Sequence, residues 1–132
     1  ITGNTCYNNT TYGIYLESSN NNNTITGNTC NNNNYYGINL SYSSNNTITG
    51  NTCNNNDCGI FLDESSNNTI TGNTCIRGTG LTTDYTTSQY TIRIAYTYNN
   101  YNLIAMNNCM GKAVTNEGGT GNTLVNNKFD AT

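Results

Sequence analysis

The chain has 132 residues and a formal net charge of −3, from four basic and seven acidic side chains, with no His. That length fits one domain; so few Lys and Arg exclude a surface built to neutralise a nucleic-acid backbone, and no apolar run approaches the roughly 18–20 residues of a membrane span. Asn (31) and Thr (24) dominate the composition, which alone would suit a disordered polar tract, but apolar residues return at fixed offsets and so argue for order.

The phrase Ile-Thr-Gly-Asn-Thr-Cys starts at Ile1, Ile25, Ile48 and Ile70. Altered copies begin at Ile104 and Leu124, and the steps between starts are 24, 23, 22, 34 and 20 residues. A period in this range implies stacked units that bury their apolar sides against one another. One domain over 1–132 divides near 1–24, 25–47, 48–69, 70–103, 104–123 and 124–132, with a loop insertion at 76–90. The chain opens inside a repeat and reads as a mature or excised segment.

Each unit carries its elements in the same order. Alternation around Ile25 puts Ile25 and Gly27 on one face and Thr24 and Thr26 on the other, the period of a strand. Asn28 follows at a one-residue corner, whose left-handed geometry Asn tolerates. Residues 31–36 form a turn, and a second strand over 37–40 turns Ile38 and Leu40 inward and Asn39 outward. The same pattern gives Ile14 and Leu16, Ile60 and Leu62, and Ile92 and Ile94. Ile and Thr suit strands, whereas Asn, Ser and Gly suit the turns between them. No stretch keeps a 3.6-residue rhythm, so helix is not expected. Short strands at this spacing close only by winding about an axis, each coil roughly 4.8 Å above the last.

Stacking converts repeated positions into columns. Ile1, Ile25, Ile48, Ile70, Ile104 and Leu124 form one. Asn4, Asn28, Asn51, Asn73, Asn107 and Asn127 form another, whose amides can donate and accept between coils as a structural ladder. Cys6, Cys30, Cys53, Cys75 and Cys109 form a third, with Phe129 on its last rung. A slot that accepts Phe is apolar, and in-register Cβ vectors are parallel, so these thiols are expected free and packed rather than bridged. A column of thiolates suits Cu(I), but with no His and only Met106 and Met110 as further soft donors no metal or other cofactor is expected. Cys58 stands apart, where other coils carry Tyr12 and Tyr36.

The phrase Ser-Ser-Asn-Asn-Thr-Ile-Thr-Gly-Asn, at 43–51 and 65–73, resembles the right-handed parallel β-helix repeats of NosD-like proteins. These recur in archaeal and bacterial surface proteins and share their broader architecture with pectate lyases. The resemblance implies an all-β right-handed parallel β-helix, a β-solenoid of about six coils. It also implies that 37–40 lies in the first sheet, 24–27 in the second and 29–30 in the third. It rests on scaffold residues and so speaks for fold, not activity.

Two outer surfaces are candidates for binding. Thr24, Thr47, Thr69 and Thr123 fall in one file and Thr2, Thr26, Thr49 and Thr71 in the next, a methyl and hydroxyl lattice similar to the Thr-x-Thr faces of β-solenoid antifreeze proteins. The other surface is the first sheet's outer face, where Tyr15, Asn39, Phe61 and Arg93, with Tyr85 from the insertion, are expected as exposed aromatics and polar groups suited to a sugar chain. Catalysis finds little support, because the close acidic pair Asp63-Glu64 is expected to point to opposite faces. The sequence therefore predicts a non-enzymatic structural or adhesion module of a cell surface, extracellular, facing carbohydrate or like β-helix modules, with end-to-end stacking through the open edge at Ile1. Ice binding and polysaccharide binding are the alternatives.

Overall fold

The structure, a computed structural model, describes residues 1–129; the end of the last repeat lies outside them. Among the described residues ten strands follow in chain order: β1 Tyr12–Glu17, β2 Thr24–Thr26, β3 Tyr36–Ser41, β4 Thr47–Thr49, β5 Cys58–Asp63, β6 Thr69–Thr71, β7 Tyr90–Ala95, β8 Leu103–Ala105, β9 Thr115–Asn116 and β10 Thr123–Val125. Odd strands form one parallel sheet, β1-β3-β5-β7-β9, and even strands a second, β10-β8-β6-β4-β2. A third face is a ladder of single bridges joining Thr5, Thr29, Thr52, Thr74, Asn108 and Lys128. This is a right-handed parallel β-helix of roughly five stacked turns. The difference from six lies in the last repeat, which contributes β10 and the Lys128 bridge before the described residues end.

Register follows the repeated phrase. Ile25 pairs with Ile48, Ile48 with Ile70, Ile70 with Ile104 and Ile104 with Leu124. On the other sheet Ile14, Ile38, Ile60 and Ile92 align, as do Leu16, Leu40, Leu62 and Ile94. Apart from Leu124, which is exposed on the end coil, these residues and Cys30, Cys53, Cys75 and Cys109 make one core inside the coil. Each fully buried Ile or Leu contributes roughly 1.5–3 kcal/mol of transfer free energy, and a one-residue slip would turn the whole set outward.

Two glycine positions are fixed by geometry. The Cβ site of Gly37 faces inward, 2.6 Å from the Gly59 carbonyl oxygen and 2.9 Å from Cys53 Cβ, so only Gly lets β3 approach the cysteine column. At the other position the expected corner needs correction. The left-handed residues are Gly3, Gly27, Gly50 and Gly72, replaced by Met106 and Asn126 in the last two copies. A Cβ on Gly27 would meet open space, so this residue is not on the inward face of the strand. The Asn after it leaves the left-handed region and turns its amide inward.

The insertion makes a single 3-10 turn, Thr82–Asp84. Asp84 Oδ2 accepts from Thr79 N at 2.8 Å, Thr79 Oγ1 at 2.8 Å and Leu81 N at 3.1 Å, which folds the loop on itself. Tyr85 Oη ties it to the rod by donating to the Met110 carbonyl at 2.8 Å and accepting from Arg77 N at 3.0 Å.

Candidate functional site

The inner corners are occupied by asparagine. Asn4 Nδ2 donates to Asn28 Oδ1, Asn28 to Asn51, Asn51 to Asn73, Asn73 to Asn107 and Asn107 to Asn127, all at 2.9–3.0 Å. The same oxygens accept the backbone N–H of the residue donating above them. Two further ladders were not expected from the sequence. Asn9, Asn33 and Asn56 form one. Asn23 and Asn46, continuing through Asn68, Asn102 and Asn122, form the other. Its signal is visible in the repeat: an Asn two residues before the inward Ile in Asn-Thr-Ile at Asn23, Asn46 and Asn68. These asparagines satisfy backbone at buried corners, and they hold the outer surfaces in register.

All six cysteines are free. Cys30, Cys53, Cys75 and Cys109 are buried on the third face, with Cys6 partly exposed. Hydrogen bonding with Cys30 and Cys75, then burial, pushes the Cys53 thiol well above its ordinary value, and burial pushes Cys109 up to about 12. Phe129, on the last rung, is about half exposed at 48%. Cys58 packs outside the sheet with Phe61 and Ala95. Among the described residues no three His, Cys, Asp or Glu converge as a metal site would require.

The threonine files lie in register on the outside. Thr24, Thr47 and Thr69 align, with Leu103 and then Thr123 beyond. Thr2, Thr26, Thr49 and Thr71 align, followed by Ala105 and Val125. Thr29, Thr52 and Thr74 lie beyond the corner on the third face, so the second sheet carries a lattice two files wide over three coils, and all nine threonines are partly or fully exposed. A 3.4 Å bond from Thr71 Oγ1 to Thr49 Oγ1 runs within it.

The outer face of the first sheet differs from expectation. Tyr15 is exposed at 42%, but Phe61 is 6% and Asn39 4% exposed. Phe61 is capped by the Tyr36 ring, stacked at 4.3 Å, and by the Arg93 guanidinium at 5.5 Å. Alternation sends both side chains outward, but these neighbours on adjacent coils cover Phe61, and Asn39 lies between Tyr15 and Phe61 in their column. Tyr12 continues the stack above Tyr36 at 5.3 Å, and Tyr90 lies 4.8 Å from the Arg93 guanidinium on the other side. Tyr85 serves as a loop anchor away from Tyr15, with burial raising its hydroxyl to about 12. Asn39 Oδ1 is buried without a protein partner.

An open groove lies beside this face, where the first sheet ends. Asp63, Glu64, Tyr96, Thr97, Tyr98 and Glu117 line about 550 Å³. Asp63 closes β5, while Glu64 turns the corner with φ 46°, so the pair faces one groove and not opposite sides as alternation implied. Glu117 pairs with Arg93 through Nε at 2.6 Å and Nη2 at 2.9 Å, which holds its carboxyl below the usual range. Burial, then the charge of Glu64, raises Asp63. Glu64 accepts from Tyr42 Oη at 3.0 Å. The groove thus offers carboxylate acceptors beside aromatic faces, a combination suited to hydroxyl-bearing ligands.

Comparison with curated proteins and with solved structures finds no match for this chain. A family model described as the right handed beta helix region matches residues 1–130, nearly the full length, in agreement with the stacked sheets and with the resemblance carried by the repeated phrase. The chain belongs to the right-handed β-helix family.

Proposed function

We propose that the protein is a non-enzymatic, extracellular structural and adhesion module of a cell surface, a rigid rod that holds envelope carbohydrate or like β-helix modules. The observation that carries this reading is the placement of tyrosine. Tyr7, Tyr15, Tyr35, Tyr42, Tyr96, Tyr98 and Tyr101 are each more than 40% exposed, on a frame whose interior is closed by aliphatic and amide ladders. Tyrosine presents a large amphipathic surface at low entropic cost, so rings held on rigid backbone favour binding. A glycan array carrying envelope polysaccharides, with sedimentation for self-association, tests it. Retention by at least one glycan class, or concentration-dependent assembly, is expected; neither, at protein concentrations of 100 µM on the order of weak surface affinities, would remove the reading.

The threonine lattice favours a second reading, ice binding. Its two files on the second sheet are in register across three coils, giving hydroxyls roughly 4.8 Å apart along the rod and about 6.6–7 Å across it. Thermal hysteresis abolished by Thr49→Tyr would support it, and an absence of hysteresis in the unaltered protein would end it.

A further inference from the structure

The corner that follows the first sheet stacks four non-glycine residues in the left-handed region: Ser18 (φ 58°), Tyr42 (51°), Glu64 (46°) and Tyr96 (61°). They share one file because the residues before them are paired or aligned, Glu17 with Ser41, Ser41 with Asp63 and Asp63 with Ala95. Bulky side chains avoid this backbone region, and where they persist the surrounding structure must hold them there. Most other left-handed corners use residues that accept the conformation readily, such as Gly27, Gly50 and Gly72, or Asn8, Asn32 and Asn55, with Tyr101 and Met106 as single bulky exceptions, whereas this corner holds bulky residues on three successive rungs. Packing does not account for the tyrosines, since Tyr42 and Tyr96 are 54% and 55% exposed.

Glu64 and Tyr96 of this file line the groove of about 550 Å³, and Tyr42 adjoins it through its hydroxyl, which donates to Glu64 at 3.0 Å. Tyr42 and Tyr96 are two rungs apart, roughly 9.6 Å along the rod axis at about 4.8 Å per rung. Asp63 and Glu117 are also two rungs apart, with Ala95 between them in their column. This repeat is close to that of a two-sugar unit in an extended β-linked glycan. Three carboxylates against the single guanidinium of Arg93 leave the groove net negative, which disfavours uronate, sulfate or phosphate groups.

We propose that this groove binds an extended glycan without anionic groups, laid parallel to the rod axis. Alternate sugar rings lie on Tyr42 and Tyr96, with Tyr98 beside them, and ring hydroxyls donate to Asp63, Glu64 and Glu117. The proposal rests on the carbohydrate arm of the function above and specifies its place, direction and charge class.

The test uses Tyr42→Asn and Tyr96→Asn, singly and together, because Asn removes the ring yet suits left-handed backbone. Calorimetry with a β-1,4-linked glucose hexamer, a glucosamine hexamer and a galacturonate hexamer supplies the neutral, cationic and anionic arms. Binding of the glucose or glucosamine hexamer is expected, the galacturonate hexamer at least tenfold weaker, and the double variant at least tenfold weaker for whichever hexamer binds, with Tm unchanged or raised. Asp63→Asn with Glu64→Gln is expected to narrow the gap against galacturonate. Glucose- or glucosamine-hexamer binding left intact in the double variant, or galacturonate bound as tightly, would overturn the groove while the carbohydrate reading stands. A positive array with no groove-dependent ligand overturns the groove in the same way, and a chain that binds no glycan loses both.

Discussion

Removing one amide from the middle of the main ladder is the sharpest test of what holds the coils together. Asn73 is fully buried. Its Oδ1 accepts from Asn51 N at 2.9 Å and Asn51 Nδ2 at 3.0 Å, while its own Nδ2 donates to Asn107 Oδ1 at 3.0 Å and to the Ile48 carbonyl at 2.9 Å. Asn73→Ala orphans the Asn51 N–H in the interior, at about 1–3 kcal/mol, and deletes further bonds worth roughly 0.5–1.5 kcal/mol each. Asn51 Nδ2 keeps Ile25 O and Thr49 O, and Asn107 Oδ1 keeps the Asn73 backbone N–H, so these are weakened rather than orphaned. The expected loss is about 3–5 kcal/mol, read by urea unfolding as a fall in midpoint at constant slope. Asn73→Asp keeps the acceptor but turns a carboxylate oxygen toward Ile48 O and Asn107 Oδ1. Its penalty should grow as pH rises through the raised pKa of a buried acid, because the folded state then binds more protons than the unfolded one. Asn34→Ala, at an exposed position, should stay within about 0.5 kcal/mol. If Asn73→Ala cost less than about 1 kcal/mol, matching that control, the ladder would be a by-product of stacking and not its support.

The two kinds of glycine should respond differently. Gly37→Ala places a methyl 2.6 Å from the Gly59 carbonyl and should cost about 1–3 kcal/mol or more by overpacking, with Gly37→Asn worse still. Gly50→Ala meets no atom but sits at φ 63°, a backbone penalty of roughly 1–2 kcal/mol that Gly50→Asn should largely relieve, as Asn126 does at the same place in the last copy. Chemical unfolding of the four variants checks the pattern, and relief by Asn at both positions would contradict it. Alkylation followed by peptide mapping should find Cys6 modified first in the folded protein, because the thiolate is the nucleophile and needs access. Cys30, Cys53, Cys58, Cys75 and Cys109 should wait for denaturant, and fast native labelling of any of these five would contradict their burial.

The period of the repeat was enough to place the strands, their parallel register, the aliphatic and cysteine columns and the alignment of the threonine files, because each depends on identity at a fixed offset. Local geometry at the ends of strands was not legible in the same way. Gly27 and Asn28 both tolerate the left-handed region, and what separates them is that the Asn amide must face inward to meet its ladder. Alternation gives the outward direction of Asn39 and Phe61 but says nothing of Tyr36 and Arg93, which close over Phe61 from adjacent coils. The same rule failed for Glu64, which lies one residue past the end of β5, where alternation no longer applies.

A repeat protein carries its own comparison set, since each coil meets nearly the same stacking demands as the next. Positions the stack requires stay uniform: Ile at 25, 48, 70 and 104, and Asn at 28, 51, 73 and 107. The corner after the first sheet reads Ser18, Tyr42, Glu64, Tyr96, and it keeps the left-handed backbone throughout. Stacking therefore fixes the conformation there but not the side chain. A position under that demand alone mostly holds Gly or Asn, as Gly3, Gly27, Gly50, Gly72 and Asn126 do at the other corner, where Met106 is the one bulky residue. Two exposed tyrosines and a glutamate held against backbone preference imply a second demand from outside the rod, and the groove they border is where a partner would impose it.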